Sequence, residues 1–385
     1  MLIVGLLALP VVAQDNISKM LLEIEANNTT LKALQERASA EKIGNHVGIN
    51  LENPEIGYSR QWGNSNAEGD KYEMSITQSF DFPTAYRYKK QLAKQLDSQA
   101  DLAYLEQRAE ILFEARQLGV ELTYQSIVNR ELKERYDDAK ALCEAYEKAF
   151  SAGEIDIIER NKAKINLINT EKALQMNEVE QNGVRAELQR MNGGVPLVAC
   201  PTAYDSDMLP SNFEEWLSGI EGNVPLLQLA EYQIESSRKQ EQLVKALNLP
   251  KLSAGYMNAK EGGGRFNGFS IGVSIPLWEN KNTIKHQKAQ TNTLAMQYED
   301  TKLQFVNSLR LEYDRAATMS ALLNDYRDVL GNTNDKDLLK KALDQGKMSL
   351  ITYLQELTIY YETVDKYLET QKEYYLSMAE LKRWE

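Results

Sequence analysis

Two hydropathy patterns alternate along the chain. Residues 84–195 and 277–385 hold no proline, and their apolar residues recur every three or four positions among charged and amide side chains. Leu132, Tyr136, Ala139, Cys143, Tyr146 and Phe150 step in this way, as do Leu350, Leu354, Leu357, Tyr361, Val364 and Leu368. That spacing predicts long helices packed along coiled-coil seams. Proline is kept out of helix interiors because it removes a backbone hydrogen bond and clashes with the preceding turn. Two other segments alternate with period two: Tyr72, Met74, Ile76 and Phe269, Ile271, Val273, Ile275, Leu277. Each follows a second strand candidate, 46–58 and 250–258. The loops between, "SRQWGNSNAEGD" and "AKEGGGRFNG", are polar and glycine-rich, so the pattern predicts two antiparallel strand pairs, each with one apolar face.

The landmarks repeat. Asn28, Leu31 and Leu34 return as Asn223, Leu226 and Leu229 at an offset of 195; Phe82 and Leu277 differ by 195, Pro54 and Pro250 by 196, Gly153 and Gly346 by 193. The chain therefore reads as a tandem duplication. The first repeat spans 14–195, with a helix over 16–44, strands over 46–83, a long helix over 84–150 and a helix over 154–192. A linker or equatorial segment covers 196–222. The second repeat spans 223–385, with a helix over 223–248, strands over 250–278, a long helix over 281–345 and a helix over 347–384. Each long helix, about 100 Å at the usual rise, matches the two shorter ones laid end to end. Gly331 and the polar run "NTNDKD" after it should interrupt the second long helix.

Composition narrows the class. A net charge of -12 argues against nucleic acid as a partner, because that binding needs lysine and arginine on phosphates. Residues 2–12 are apolar but too few to span a bilayer as a helix. Followed by Ala13, they have the length of a signal-peptide core, so 1–13 is expected to be a signal peptide, although no basic residue precedes it. No cysteine follows it to take a lipid. No other apolar run approaches a transmembrane helix, so a membrane role would have to use strands. Four strands leave two open edges, which lipid does not tolerate. Three chains would supply twelve strands, enough to close a barrel.

The blocks Asn53-Pro54-Glu55-Ile56 and Gln78-Ser79-Phe80-Asp81-Phe82-Pro83-Thr84, with Gly153 and Gly346 in their turns, resemble the TolC family of outer-membrane efflux factors over essentially the whole mature chain. The first two blocks are most like the branch serving heavy-metal pumps of the resistance-nodulation-division (RND) type. The resemblance implies a mainly α fold with β: long helical hairpins forming an α-barrel, plus four strands per chain in a homotrimeric twelve-stranded β-barrel. It implies an outer-membrane exit duct of a tripartite efflux system, docked to a periplasmic adaptor (a membrane fusion protein) and an inner-membrane RND-type pump. In the family the hairpin tips are what the adaptor recognises; the matching residues are Ala152, Gly153 and Glu154 in one tip and Gln345, Gly346 and Lys347 in the other. The two glycines also read simply as helix C-caps. The family closes its tube with carboxylates six and nine positions after the second glycine. Here Thr352 and Gln355 stand there, leaving Glu159 and Glu356 as candidate gate residues, or as solvated surface glutamates.

Nothing points to an enzyme. The two histidines, His46 and His286, lack ligand neighbours at metal-binding spacing, and no nucleophile–base pair or cofactor motif is present. Cys143 sits on a helix seam, where packing is its expected job, and two free thiols are expected rather than a disulfide. Tyr58, Trp62, Tyr72 and Trp278, near strand ends, would suit an aromatic belt against outer-membrane lipid. Other readings are the channel of a type I protein secretion system, a periplasmic coiled-coil scaffold, and an adaptor. An adaptor expects one hairpin flanked by other domains rather than two equal repeats.

Overall fold

Asparagines and glycines decide where these helices stop. The computed structural model describes residues 16–63, 69–206, 208–332 and 335–384; the expected signal peptide lies outside them. The elements run α1 (Asn16–Asn27), α2 (Thr29–Asn45), β1 (Glu55–Trp62), β2 (Asp70–Phe80), α3 (Pro83–Ser151), α4 (Ile157–Met191), α5 (Phe213–Ile220), α6 (Pro225–Leu247), β3 (Lys251–Glu261), β4 (Gly264–Ser274), α7 (Thr283–Asn332), α8 (Asp335–Asp344) and α9 (Leu350–Leu381).

The single helix expected over 16–44 is two. Asn28 separates them: its side-chain oxygen accepts the Leu31 N–H at 2.8 Å, capping α2. Its amide donates to the Met191 carbonyl at 2.8 Å, tying the break to the end of α4. Gly331 lies within α7, and residues 333–334 of the interruption expected after it, between α7 and α8, lie outside the described residues. The first strand starts at Glu55 rather than 46, because residues 46–48 form a turn. The loop expected over 259–268 is mostly strand. Gly262 and Gly263 take φ of +56° and +86°, so a two-residue turn closes the β3–β4 hairpin and the strands run up to it on both sides.

The described chain falls into two compact units, and both sequence repeats contribute to each. The first comprises the described residues within 1–32, 108–220 and 306–385. One of its cores gathers Met20 and Ile24 of α1, Leu122 of α3 and Leu188 of α4, all fully buried. The second unit comprises Ala33–Gln107 and Glu221–Phe305. It holds the sheet, whose order is β1-β2-β3-β4, antiparallel throughout, with β1 and β4 as open edges. Where β2 passes into α3, the buried Asp81 takes Lys89 at 2.9 Å and Lys251 of β3 at 3.5 Å, while Ala85, Leu243 and Ala246 pack α3 on α6. No helix among the described residues is long and apolar enough to cross a membrane.

Candidate functional site

Two turns and one sheet carry the residues singled out above; the turns belong to the first unit and the sheet to the second. At the end of α3, Gly153 adopts φ +77°. The Glu154 N–H donates to the Ala149 carbonyl at 2.9 Å and the Gly153 N–H to Phe150 at 3.0 Å, a Schellman closure. At the end of α8, Gly346 adopts φ +65°. There the Lys347 N–H donates to Ala342 and the Gly346 N–H to Leu343, both at 2.9 Å. A Cβ on either glycine would meet nothing within 4 Å. The positive φ, not crowding, is therefore what demands glycine. Three residues on, each turn starts the next helix with a cap. The Asp156 carboxylate accepts the N–H groups of Ile158 and Glu159 at 2.8 and 2.9 Å, and the Ser349 hydroxyl accepts that of Thr352 at 3.2 Å. These caps went unnoticed in the sequence, although Gly-x-x-Asp and Gly-x-x-Ser at the same offset as the glycines were the signal.

The structure brings both turns onto one apolar cluster. Leu142, Cys143 and Tyr146 of α3, Ala163 of α4, Leu343 of α8 and Leu350, Tyr353 and Leu357 of α9 meet in it. Both cysteines are unpaired, and Cys143 is part of this packing. Ala152, Gly153, Glu154, Gln345, Gly346 and Lys347 all lie exposed outside it. Burial pushes the Tyr146 hydroxyl up, and the charges of Glu159 and Asp344 push it further. Glu159 thus stands beside the cluster on the first turn of α4. Glu356 is exposed and lines an open groove of about 550 Å³ with Val329, Leu338 and Ile359. The two candidate gate residues share no partner among the described residues.

The first turn has an ionic staple: Arg160 donates to Glu147 at 2.8 Å across it and lies 5.1 Å from the Phe150 ring centroid. Arg160 holds the Glu147 carboxyl below the usual carboxylate range. Further along, the buried Arg135 of α3 forks onto Asp365 of α9 at 2.7 and 3.1 Å, bonds Glu131 at 3.0 Å and stacks 4.2 Å from the Tyr361 centroid. Lys336 of α8 reaches Glu134 and Asp138 at 2.5 and 2.8 Å. Burial works against its charge, yet hydrogen bonds from these two carboxylates raise its pKa. These links between helices were not read from the sequence. The partners of the Arg135–Asp365 and Lys336 links stand about 200 residues or more apart, and no local pattern pairs them.

The sheet has two unlike faces. Register puts Ile56, Ile76, Tyr256 and Phe269 in one cross-strand row, and Phe80, Leu252 and Val273 in another on the same face. This apolar face is uncovered: Phe269 is 88% and Ile271 86% exposed. Tyr58, Trp62 and Tyr72 share it, whereas Trp278, also exposed, lies beyond the end of β4 and outside the strands. The opposite face is mostly small and polar, with Met257 and Phe266 as its exceptions. Gly57 is paired with Ser75 and Gly255 with Ser270, so close that a Cβ would come within 2.8 and 2.7 Å of the serine hydroxyls. Among the described residues no group of three or more His, Cys, Asp or Glu could hold a metal.

No protein-family model and no curated protein matches the sequence. The fold, in contrast, has solved counterparts. The chain superposes on a structure of CusC, described for its folding and transmembrane channel formation, with a TM-score of 0.80 at 13% identity, covering 96% of this chain and 91% of that one. The Campylobacter jejuni CmeC outer membrane channel gives 0.73 at 15%, covering 96% and 85%. The outer membrane protein VceC from Vibrio cholerae gives 0.72 at 12%, covering 95% and 93%. At these identities the likeness is one of fold, and the fold is the TolC-like one: helical hairpins with a four-stranded antiparallel sheet. The likeness does not single out a heavy-metal branch.

Proposed function

We propose that this chain is the outer-membrane channel of a tripartite efflux system and conducts its cargo passively from the periplasm to the exterior. The observation that carries this reading is the uncovered apolar face on a sheet with two open edges. Unpaired strand edges and a bare apolar face are unfavourable in water. In lipid the face becomes an asset, while the edges must be closed by further strands. Three copies of the sheet make a twelve-stranded barrel, with the apolar face toward hydrocarbon and the glycine–serine face lining the lumen. Tyr58, Trp62 and Tyr72, with Trp278 nearer the helices, would form its aromatic belts.

In this reading the helical hairpins stand in the periplasm. The exposed turns at Gly153 and Gly346 meet the adaptor, which couples the duct to an RND-type pump in the inner membrane. Glu159 and Glu356 are the acidic residues available for a gate there. Catalysis has no part in it; cargo choice would rest with the pump and adaptor. The test is fractionation of cell envelopes followed by insertion of the purified protein into a planar bilayer. Recovery with the outer membrane and a stepwise conductance are expected. Recovery in the soluble periplasmic fraction would overturn the reading.

A further inference from the structure

The outer rim of the apolar sheet face carries a row of cations, one half of it uncompensated. Register places Arg60 opposite Tyr72, Tyr72 opposite Lys260 and Lys260 opposite Arg265, all on the face that also presents Ile56, Met74 and Phe269. The row therefore crosses all four strands, a width of roughly 15 Å at the usual strand spacing. It sits at the hairpin-turn end, two residues or fewer from Trp62 and from the Gly262–Gly263 turn. The β1–β2 half neutralises itself. Arg60 bonds Asp70 at 2.6 Å, and its guanidinium lies 5.3 and 5.7 Å from the ring centroids of Tyr72 and Trp62. The β3–β4 half does not. Lys260 and Arg265 are exposed and directly opposed, an arrangement that disfavours pairing unless an anion lies between them. No carboxylate among the described residues of this face remains to serve them. The one acid at this end of β3, Glu261, lies on the other face and takes Lys71 at 3.4 Å.

The geometry points to a binding site for the phosphate of a lipid headgroup. Apolar side chains occupy the middle of the face, while the cations share its rim with Tyr72 and Trp62, an order that matches acyl chain and then an interface with anionic headgroups. The net positive rim stands on a chain whose total charge is -12, so it is not a by-product of a basic protein. Lys260 and Arg265 grip the phosphate, and Tyr72 with the Arg60–Asp70 pair bounds the site on the β2 side. This site rests on the channel reading, which puts the apolar face in lipid.

The test reconstitutes the full-length protein in vesicles of phosphatidylcholine mixed with bisphosphorylated lipid A. The protein is then re-extracted in mild detergent, and the phosphorylated lipid retained per particle is counted by mass spectrometry. Wild type is expected to retain it over phosphatidylcholine, and Lys260→Gln/Arg265→Gln to lose roughly thirty-fold in that preference, about five-fold for each basic residue at an anionic surface. Lys71→Gln, at the same rim but on the opposite face, should leave it unchanged. Equal retention by wild type and the double variant would overturn the site, as would wild type showing no preference if the variant does not fold. Displacement of the lipid by inorganic phosphate would show that the ion alone is bound, and would overturn a lipid site. If the wild-type protein does not enter vesicles at all, the channel reading falls, and the site with it.

Discussion

The turns at Gly153 and Gly346 have the same backbone and different surroundings. Both close with the same pair of hydrogen bonds around a left-handed glycine, and both restart a helix three residues later. At the second turn the first helical residue, Leu350, is 1% exposed in the shared apolar cluster. Its counterpart at the first turn, Ile157, is 54% exposed, and Ile158 beside it is 58% exposed. Instead of an apolar plug, the first turn has the Glu147–Arg160 pair on its surface. The residues matching that pair in the second repeat are Lys340 and Tyr353, which cannot form it. The two turns thus share a backbone, while packing made one side of it core and left the other uncovered.

Each substitution below either breaks or sharpens that contrast. Leu350→Ala should cost the most, about 2–5 kcal/mol, because it opens a cavity in a filled cluster; Ile157→Ala should stay within about 0.5 kcal/mol for the isolated chain. Thermal melts of the two variants followed by circular dichroism check this, and equal losses would erase the distinction. Gly153→Ala and Gly346→Ala should each cost about 1–2 kcal/mol through the left-handed conformation forced on a Cβ. The two losses should match, since neither site is crowded, and the same melts would show it. Removing a cap comes next. Asp156→Ala and Ser349→Ala should each lose about 1 kcal/mol, visible as faster amide exchange at Glu159 and Thr352.

The smallest effect is one of pH. The Glu147 carboxyl is depressed by Arg160, so its contribution is present above the ordinary carboxylate pKa and is lost as pH falls through the depressed folded value. Acidification should therefore lower amide protection, measured against the intrinsic exchange rate at each pH, at the first turn and spare it at the second. Glu147→Gln should reduce the difference.

The turn glycines, the period-two strands and the repeat were legible in the sequence because each is a local backbone demand or a fixed offset. Asn28 was legible as a repeat landmark but not as a helix break, since the bond that ties the break to the end of α4 runs to the distant Met191 carbonyl. The Gly262–Gly263 turn was hidden by a third glycine at 264, which made a two-residue turn look like a long loop. For the candidate site, the exposed turns at Gly153 and Gly346 could be placed in advance. The Arg135–Asp365 and Lys336–Asp138 links could not, because only the folded chain brings those partners together. The burial difference between Leu350 and Ile157 was equally hidden: both are apolar residues one step past a cap.

The central claim is that the bare face and open edges of the sheet are completed by lipid and by other copies of the chain. The most direct measurement is the mass of the protein part of the particle, by light scattering, after extraction of envelopes in mild detergent. The account predicts an outer-membrane particle of three chains. A monomer or dimer that stays in solution without detergent would contradict it.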